Sequence, residues 1–141
     1  MLSLSSVHRD AIVATCIRAL PNEGCGLMLG TLDGTVTEIV PSPNVADSAK
    51  LYEIDSWVLL GAYRRSDEKG LSILGVFHSH TNSEAYPSPP DTAQAPDPAW
   101  HYVVVSLRDV PSAIRSFHII EGEIDEEEVA RSPFEGEFPS A

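Results

Sequence analysis

Between residues 7 and 20, Val13, Cys16, Ile17 and Leu20 fall at i, i+3, i+4 and i+7, which puts four apolar side chains on one face of an α-helix. Ser5 or Ser6 can cap its start, and Pro21-Asn22 stops it. The pattern then changes. "CGLMLG" and "TLDGTVTEIV" read as two strands joined around Asp33-Gly34, and "PSPNVADSAK" has the composition of a loop. A second helix is predicted from an N-cap at Asp55 to Lys69, with Gly70 left-handed after it.

"LSILGVF" is a mostly apolar run, which predicts a buried strand, and it leads straight into His78-Ser79-His80. "HYVVVSL" and "AIRSFHII" are two further strands turned by "RDVP". In the second of them Arg115, Phe117 and Ile119 face opposite to Ile114, Ser116 and Ile120. The elements add up to a single α/β domain, a mixed sheet of about five strands with helices packed on it. This domain is expected to span residues 1–122. Residues 123–141, with their run of acids, are expected as a solvated, partly disordered tail.

The 141 residues, 43% hydrophobic and 21% charged, are enough for one soluble domain with a real core. The net charge of −12 argues against nucleic acid or an anionic membrane as the main partner. No run approaches transmembrane length, and the start lacks a basic leader, its apolar positions being broken by Arg9, Asp10 and Arg18. Cys16 and Cys25 make no disulfide framework. The expectation is a cytoplasmic protein with reduced thiols. Nothing in the sequence speaks to its oligomeric state.

The chemistry centres on "HSHTNSEAYPSPPD", residues 78–91. On a strand, side chains alternate, so His78 and His80 share a face with Cα atoms about 6.5–7 Å apart, and Ser79 points away as a packing residue. Two imidazoles so placed can hold one metal ion with Zn–N bonds of about 2.0–2.1 Å. A catalytic zinc wants a third protein ligand and an open position, and Asp91 is the best candidate. "SPPD" is a helix start with Ser88 as N-cap and Pro89 at the first helical position. Asp91 also reads as the partner of Ser88 in a capping box, which is the preferred reading without the histidines. Metal-assisted hydrolysis further needs a carboxylate beside the water. Glu23, just ahead of an apolar strand, is one of several acids that could serve.

Glu23, His78, Ser79, His80, Ser88 and Asp91, with their counts from His80 to Ser88 to Asp91, resemble the signature of the JAMM metalloproteases, the MPN-plus or Mov34/PAD-1 group. The resemblance spans residues 3 to 122. It implies a single-domain JAB1/MPN-like fold, a curved mixed β-sheet flanked by helices in a cytidine-deaminase-like arrangement. It implies one zinc ion held by His78, His80 and Asp91, with Glu23 as general base and then acid. It also implies that Ser88 donates a hydrogen bond to the oxygen that becomes negative, a role worth about 3–4 kcal/mol.

"HSHTNSEAYPSPPD" and "NVADSAKLYEID" are similar to the small stand-alone bacterial members that remove cysteine from the C-terminus of a ubiquitin-fold sulfur carrier protein with a Gly-Gly tail. On that resemblance Tyr86 is a candidate wall of the substrate groove, equally a loop tyrosine packed on the prolines. A deubiquitinase-like isopeptidase, another JAMM hydrolase and a non-catalytic MPN scaffold are the alternatives. Cys25 reads best as a small buried apolar residue. His8, His101 and His118 read as structural or exposed, and Trp57 and Trp100 as packing residues.

Overall fold

The computed structural model describes residues 1–133. Its spine is β4 (Ser72–His80), buried from Leu74 to His80, in keeping with the apolar run that predicted it. β4 lies antiparallel to β2 (Cys25–Gly30) and parallel to β5 (His101–Ser106). With β3 (Val36–Ser42), β6 (Ala113–Ile120) and β7 (Glu123–Glu127) they form a six-stranded mixed sheet in the order β3-β2-β4-β5-β6-β7.

Alternation along the strands gives the sheet two apolar faces. Met28, Phe77, Val103, Val105 and Ile114 pack with Ile12 and Cys16 of α1 (Ser6–Ala19). Leu27, Leu29, Val76, Tyr102 and Ile119 pack with Ala62 of α2 (Ser56–Lys69). The expected α/β architecture, a mixed sheet flanked by helices, is therefore what the chain adopts, and the opposed faces of Ile114 and Ile119 follow the period-two reading. Among the described residues no helix is long and apolar enough to cross a membrane.

The caps agree with the sequence. The Ser5 side chain accepts from His8 N at 3.2 Å, and Asp55 Oδ1 accepts from Trp57 N and Val58 N at the head of α2. Gly70 closes α2 at φ 67°, where a Cβ is strained. In the β2–β3 turn, Asp33 Oδ1 accepts from the Thr31 hydroxyl and Thr35 N while Gly34 takes φ 91°.

The strand count is larger than expected. β1 (Leu2–Leu4) and β8 (Val129–Arg131) form a short parallel pair, and residues 123–127 are edge strand β7 rather than part of a solvated tail. Three residues are too few for a readable alternation in β1. β7 carries acids on both faces, which masks its period, yet two of them, Glu126 and Glu127, find partners on β6. Arg115 forks onto Glu126 with bonds of 2.9 and 2.6 Å, and Ile124 packs opposite Ile119. The rest of the expected tail, residues 134–141, lies outside the described residues.

Glu127 ties β7 to the neighbouring strands. Its Oε2 accepts from Ser116 Oγ at 2.7 Å and lies 2.6 Å from His101 Nδ1. Burial alone pushes this carboxyl upward, but the His101 and Ser116 hydrogen bonds outweigh it and hold the pKa at about 2. A carboxyl depressed on folding stabilises above its unfolded pKa of about 4.3, and the contribution fades as pH falls toward the folded value. Glu127→Gln should therefore be less stable than wild type at neutral pH, by about 3 kcal/mol at most. The gap should shrink between about pH 5 and pH 2. Urea unfolding at stepped pH reads this directly, and a gap that stays constant across the window contradicts the assignment.

Candidate metal centre

His78 and His80 emerge from the C-terminal end of β4 on the α2 face of the sheet. The chain then turns through residues 81–87 into α3 (Pro89–Ala93). Ser88 is its N-cap: Ser88 Oγ accepts from Asp91 N at 3.3 Å, and Ser88 N donates to Asp91 Oδ2 at 2.9 Å. This capping box swings the Asp91 carboxylate back over the strand end. Asp91 Oδ2 lies 3.0 Å from His78 Nε2 and 3.0 Å from His80 Nε2, and the two nitrogens are 3.3 Å apart. The capping and the convergence on the histidines are thus one arrangement. All three side chains are buried.

The proton inventory of this triangle is informative. His80 Nδ1 lies 2.8 Å from the Glu84 carbonyl oxygen, which only accepts, so Nδ1 carries the proton. Neutral His80 therefore turns the lone pair of Nε2 toward a carboxylate oxygen. Such an encounter is repulsive without a positive charge between the two atoms. An ion with bonds of about 2.0–2.1 Å in tetrahedral geometry separates its ligand atoms by about 3.3 Å, close to the spacing found. The donor set thus fits a divalent metal in chemistry, in size and in the enforced tautomer.

The electrostatics agree. Burial pushes His78 below its ordinary pKa, against Asp91. His80 feels the same burial, but Asp91 and the Glu84 carbonyl carry it above. Burial pushes Asp91 up, yet its bonds to His78, His80 and Ser88 N hold it far below the usual carboxylate range. The His78 ring is fixed by stacking on Tyr52, centroids 4.2 Å apart and planes 16° apart.

Glu23 reaches the same place from the neighbouring strand, two residues ahead of Cys25, which pairs with His78. With His80 and Ser88 it lines a cavity of about 450 Å³. Glu23 is 3% exposed, and its Oε1 has no hydrogen-bond partner. Burial first, and then the Asp91 charge, raise its pKa to about 8, with His80 opposing. A carboxyl so placed holds and releases a proton near neutral pH. The Ser88 hydroxyl, which accepts from Asp91 N, keeps its own hydrogen for a ligand in the cavity.

Tyr86 is not brought to this cavity. It packs edge-on against Phe117 at 5.3 Å and lines a separate cavity with Pro87, Pro89 and Ile119, because the 81–87 loop turns it toward β6. Cys25 sits opposite His78 in register, with its thiol 3.7 Å from both the Ser42 and Pro43 carbonyls. Burial pushes that thiol up to about 12, so it stays an inert packing group.

Two positioning contacts have no sequence signature. Ser79 Oγ, on the opposite face of β4 from the histidines, accepts from Gly24 N at 2.8 Å, and Ser79 N donates to Gly24 O at 3.0 Å. Gly24 must be a glycine because a Cβ there meets Cα of Cys16 in α1 at 2.6 Å. Asn44 Nδ2 donates to the Glu23 carbonyl at 3.0 Å, and Glu23 N donates to Ser48 O at 2.9 Å. Period two places Ser79 away from the metal side, but only tertiary contact shows what it holds.

Residues 5–120 match the sequence profile of the prokaryotic homologs of the JAB domain. The CysO-cysteine peptidase of Mycobacterium tuberculosis (strain ATCC 25618 / H37Rv) is 36% identical over 122 residues, 85% of this chain and 84% of its own. A probable TtuB-protein conjugate cleaving protease of Thermus thermophilus is 34% identical over 113 residues, 78% of this chain and 70% of its own. A solution structure of a protein from Desulfitobacterium hafniense superposes with a TM-score of 0.87 at 33% identity, over 94% of this chain and 93% of that one.

Ser79→Ala leaves the buried Gly24 N–H without its side-chain acceptor, an expected loss of about 1–3 kcal/mol. Because Gly24 adjoins Glu23, divalent-metal affinity should change little while the Glu23 side loosens. Urea unfolding and calorimetric metal titration of the one variant separate the two effects. A weakened metal site with unchanged stability contradicts this division of labour.

Proposed function

The chain belongs to the family of prokaryotic JAB-domain homologues, and we propose that it is a zinc-dependent peptidase acting on a ubiquitin-fold sulfur carrier protein. The reaction is hydrolysis of the bond after the carrier's C-terminal glycine, with release of cysteine. One observation carries the reading: two imidazole nitrogens and a carboxylate oxygen form a buried triangle, and Glu23 and Ser88 open onto the cavity beside it. The peptidase name of the mycobacterial relative points to the same substrate class.

His78, His80 and Asp91 are the protein ligands in this reading, a set of two imidazoles and one carboxylate that suits a single catalytic zinc. When bound, the ion polarises the scissile carbonyl and acidifies a water. Glu23 takes a proton from the attacking water and later hands it to the leaving nitrogen, so the amine departs neutral. Ser88 donates its hydroxyl hydrogen to the carbonyl oxygen as negative charge builds there. The carrier's Gly-Gly tail has no side chains to read and is held extended through its main chain. The free thiols of Cys16 and Cys25 suit a reducing compartment, and the reading places the enzyme in the cytoplasm.

A second reading replaces cysteine by the ε-amine of a lysine. The name of the Thermus relative, a protease of protein conjugates, favours it at slightly lower identity. The complete ligand and base set speaks against a non-catalytic scaffold.

Incubating the protein with a carrier–cysteine conjugate, with and without chelator, and reading mass tests the proposal. Loss of one cysteine residue that chelator abolishes is the expected result. Cleavage of a carrier–lysine isopeptide alone selects the second reading. Glu23→Gln should keep about one zinc per chain by elemental analysis but lose at least about 10²-fold in kcat. His78→Ala should lose the zinc. A Glu23→Gln enzyme of wild-type activity removes Glu23 as the base.

A further inference from the structure

The cavity that holds Glu23, His80 and Ser88 has one further charged wall. Lys50 is the only lysine or arginine among its lining residues. In a chain of net charge −12, this lone cation shares the cavity with the carboxyl of Glu23. Arg65 and Lys69 are paired with Glu38, and Arg115 with Glu126, all away from this cavity. Among the described residues the ammonium of Lys50 is held in no ion pair, and Lys50 is exposed.

Its loop is tied to Glu23. Asn44 Nδ2 donates to the carbonyls of both Glu23 and Leu51, at 3.0 and 2.9 Å, while Asn44 Oδ1 accepts from Ala46 N and Glu53 N. Ser48 O accepts from Glu23 N, and Ser48 Oγ accepts from Lys50 N at 3.0 Å and Leu51 N at 3.2 Å. The backbone at Lys50 is therefore fixed relative to Glu23, the group that serves the leaving nitrogen. A cation on the wall of the cavity that Glu23 lines has an evident ligand in one of the two substrate classes. A released C-terminal amino acid carries an α-carboxylate next to the scissile nitrogen, whereas a lysine side chain in a protein conjugate carries none.

We propose that Lys50 binds the α-carboxylate of the departing C-terminal residue and so makes the enzyme select a terminal amino acid over an isopeptide-linked lysine. The inference rests on the peptidase reading above and names its leaving-group specificity. Lys50 acts through ground-state contact with substrate, so its removal should appear mainly in KM.

The test uses the full-length zinc-loaded protein and one ubiquitin-fold carrier ending in Gly-Gly-Cys, prepared as the free acid and as the carboxamide. Wild type should favour the acid by about five- to twentyfold in KM, the range of a partly exposed charge-assisted contact. Lys50→Ala should erase that preference with kcat within about twofold, Lys50→Arg should keep it, and Lys50→Glu should reverse it. Zinc content and melting temperature should not move in any of them, since the Lys50 contacts with Ser48 are made by its main chain. Equal cleavage of acid and amide by wild type overturns the inference, as does an acid preference that survives Lys50→Ala. Cleavage of neither by wild type sinks the carrier–cysteine reading itself, and the inference falls with it.

Discussion

A carboxylate oxygen and two imidazole nitrogens lie buried about 3 Å from one another, and the lone pair of neutral His80 Nε2 faces that oxygen with no proton between them. The two histidines differ in what sets their protons. The Glu84 carbonyl fixes the proton of His80 on the far nitrogen, so His80 has none to offer Asp91 while neutral. His78 is pushed toward its neutral form by burial. A bound cation, or a proton on His80, would relieve that contact, and the surroundings keep the three atoms in place. Tyr52 holds the ring of His78, the Glu84 carbonyl holds that of His80, and the head of α3 holds Asp91.

The same strand that aims the histidines also holds Glu23. Side-chain alternation along β4 sends His78 and His80 to one face and Ser79 to the other. Ser79 then grips Gly24 against α1, while Asn44 and Ser48 grip Glu23 from the loop after β3. A carboxyl this deep is a strong base because burial raises its proton affinity, and it stays deep because its backbone is hydrogen-bonded on two sides. Position and basicity thus share one cause. Any substitution that lets water reach Glu23 is expected to lower its pKa and blur its aim together.

What the sequence discloses follows the range of the interactions. Helix ends at Asp55 and Gly70, the β2–β3 turn at Asp33-Gly34 and the capping of α3 by Ser88 are decided within a few residues, and all are readable. The His-x-His face is readable too, since it follows from the period of a strand. The arrival of Glu23 is not: it depends on pairings 25 and 55 residues away along the chain, through Ser48 and through Ser79. Only the family resemblance singled it out. Tyr86 shows the reach of the same limit: it is close to Ser88 in sequence, yet the loop turns its ring onto Phe117 and to a separate cavity. β7 went unread because acids on both faces conceal a strand whose inner acid, Glu127, is neutralised only once β5 and β6 are beside it.

Topology explains why His78, His80 and Asp91 converge at this end of β4. β4 and β5 are the one parallel pair in the six-stranded sheet, and parallel neighbours require a crossover connection of a dozen residues or more. That connection, residues 81–100, must leave the C-terminal end of β4 and return to the opposite end of the sheet. It is therefore obliged to pass over the histidines, and it delivers Ser88 and Asp91 as it does so. An antiparallel hairpin at the same place could turn back in two residues and would bring no such helix. The loop that carries Asn44, Ser48 and Lys50 is likewise the long link from β3 to α2, which crosses from the sheet edge to its face. The sheet sets the histidines, and the two connections that its strand order makes unavoidable bring Asp91, Ser88 and Lys50 to them.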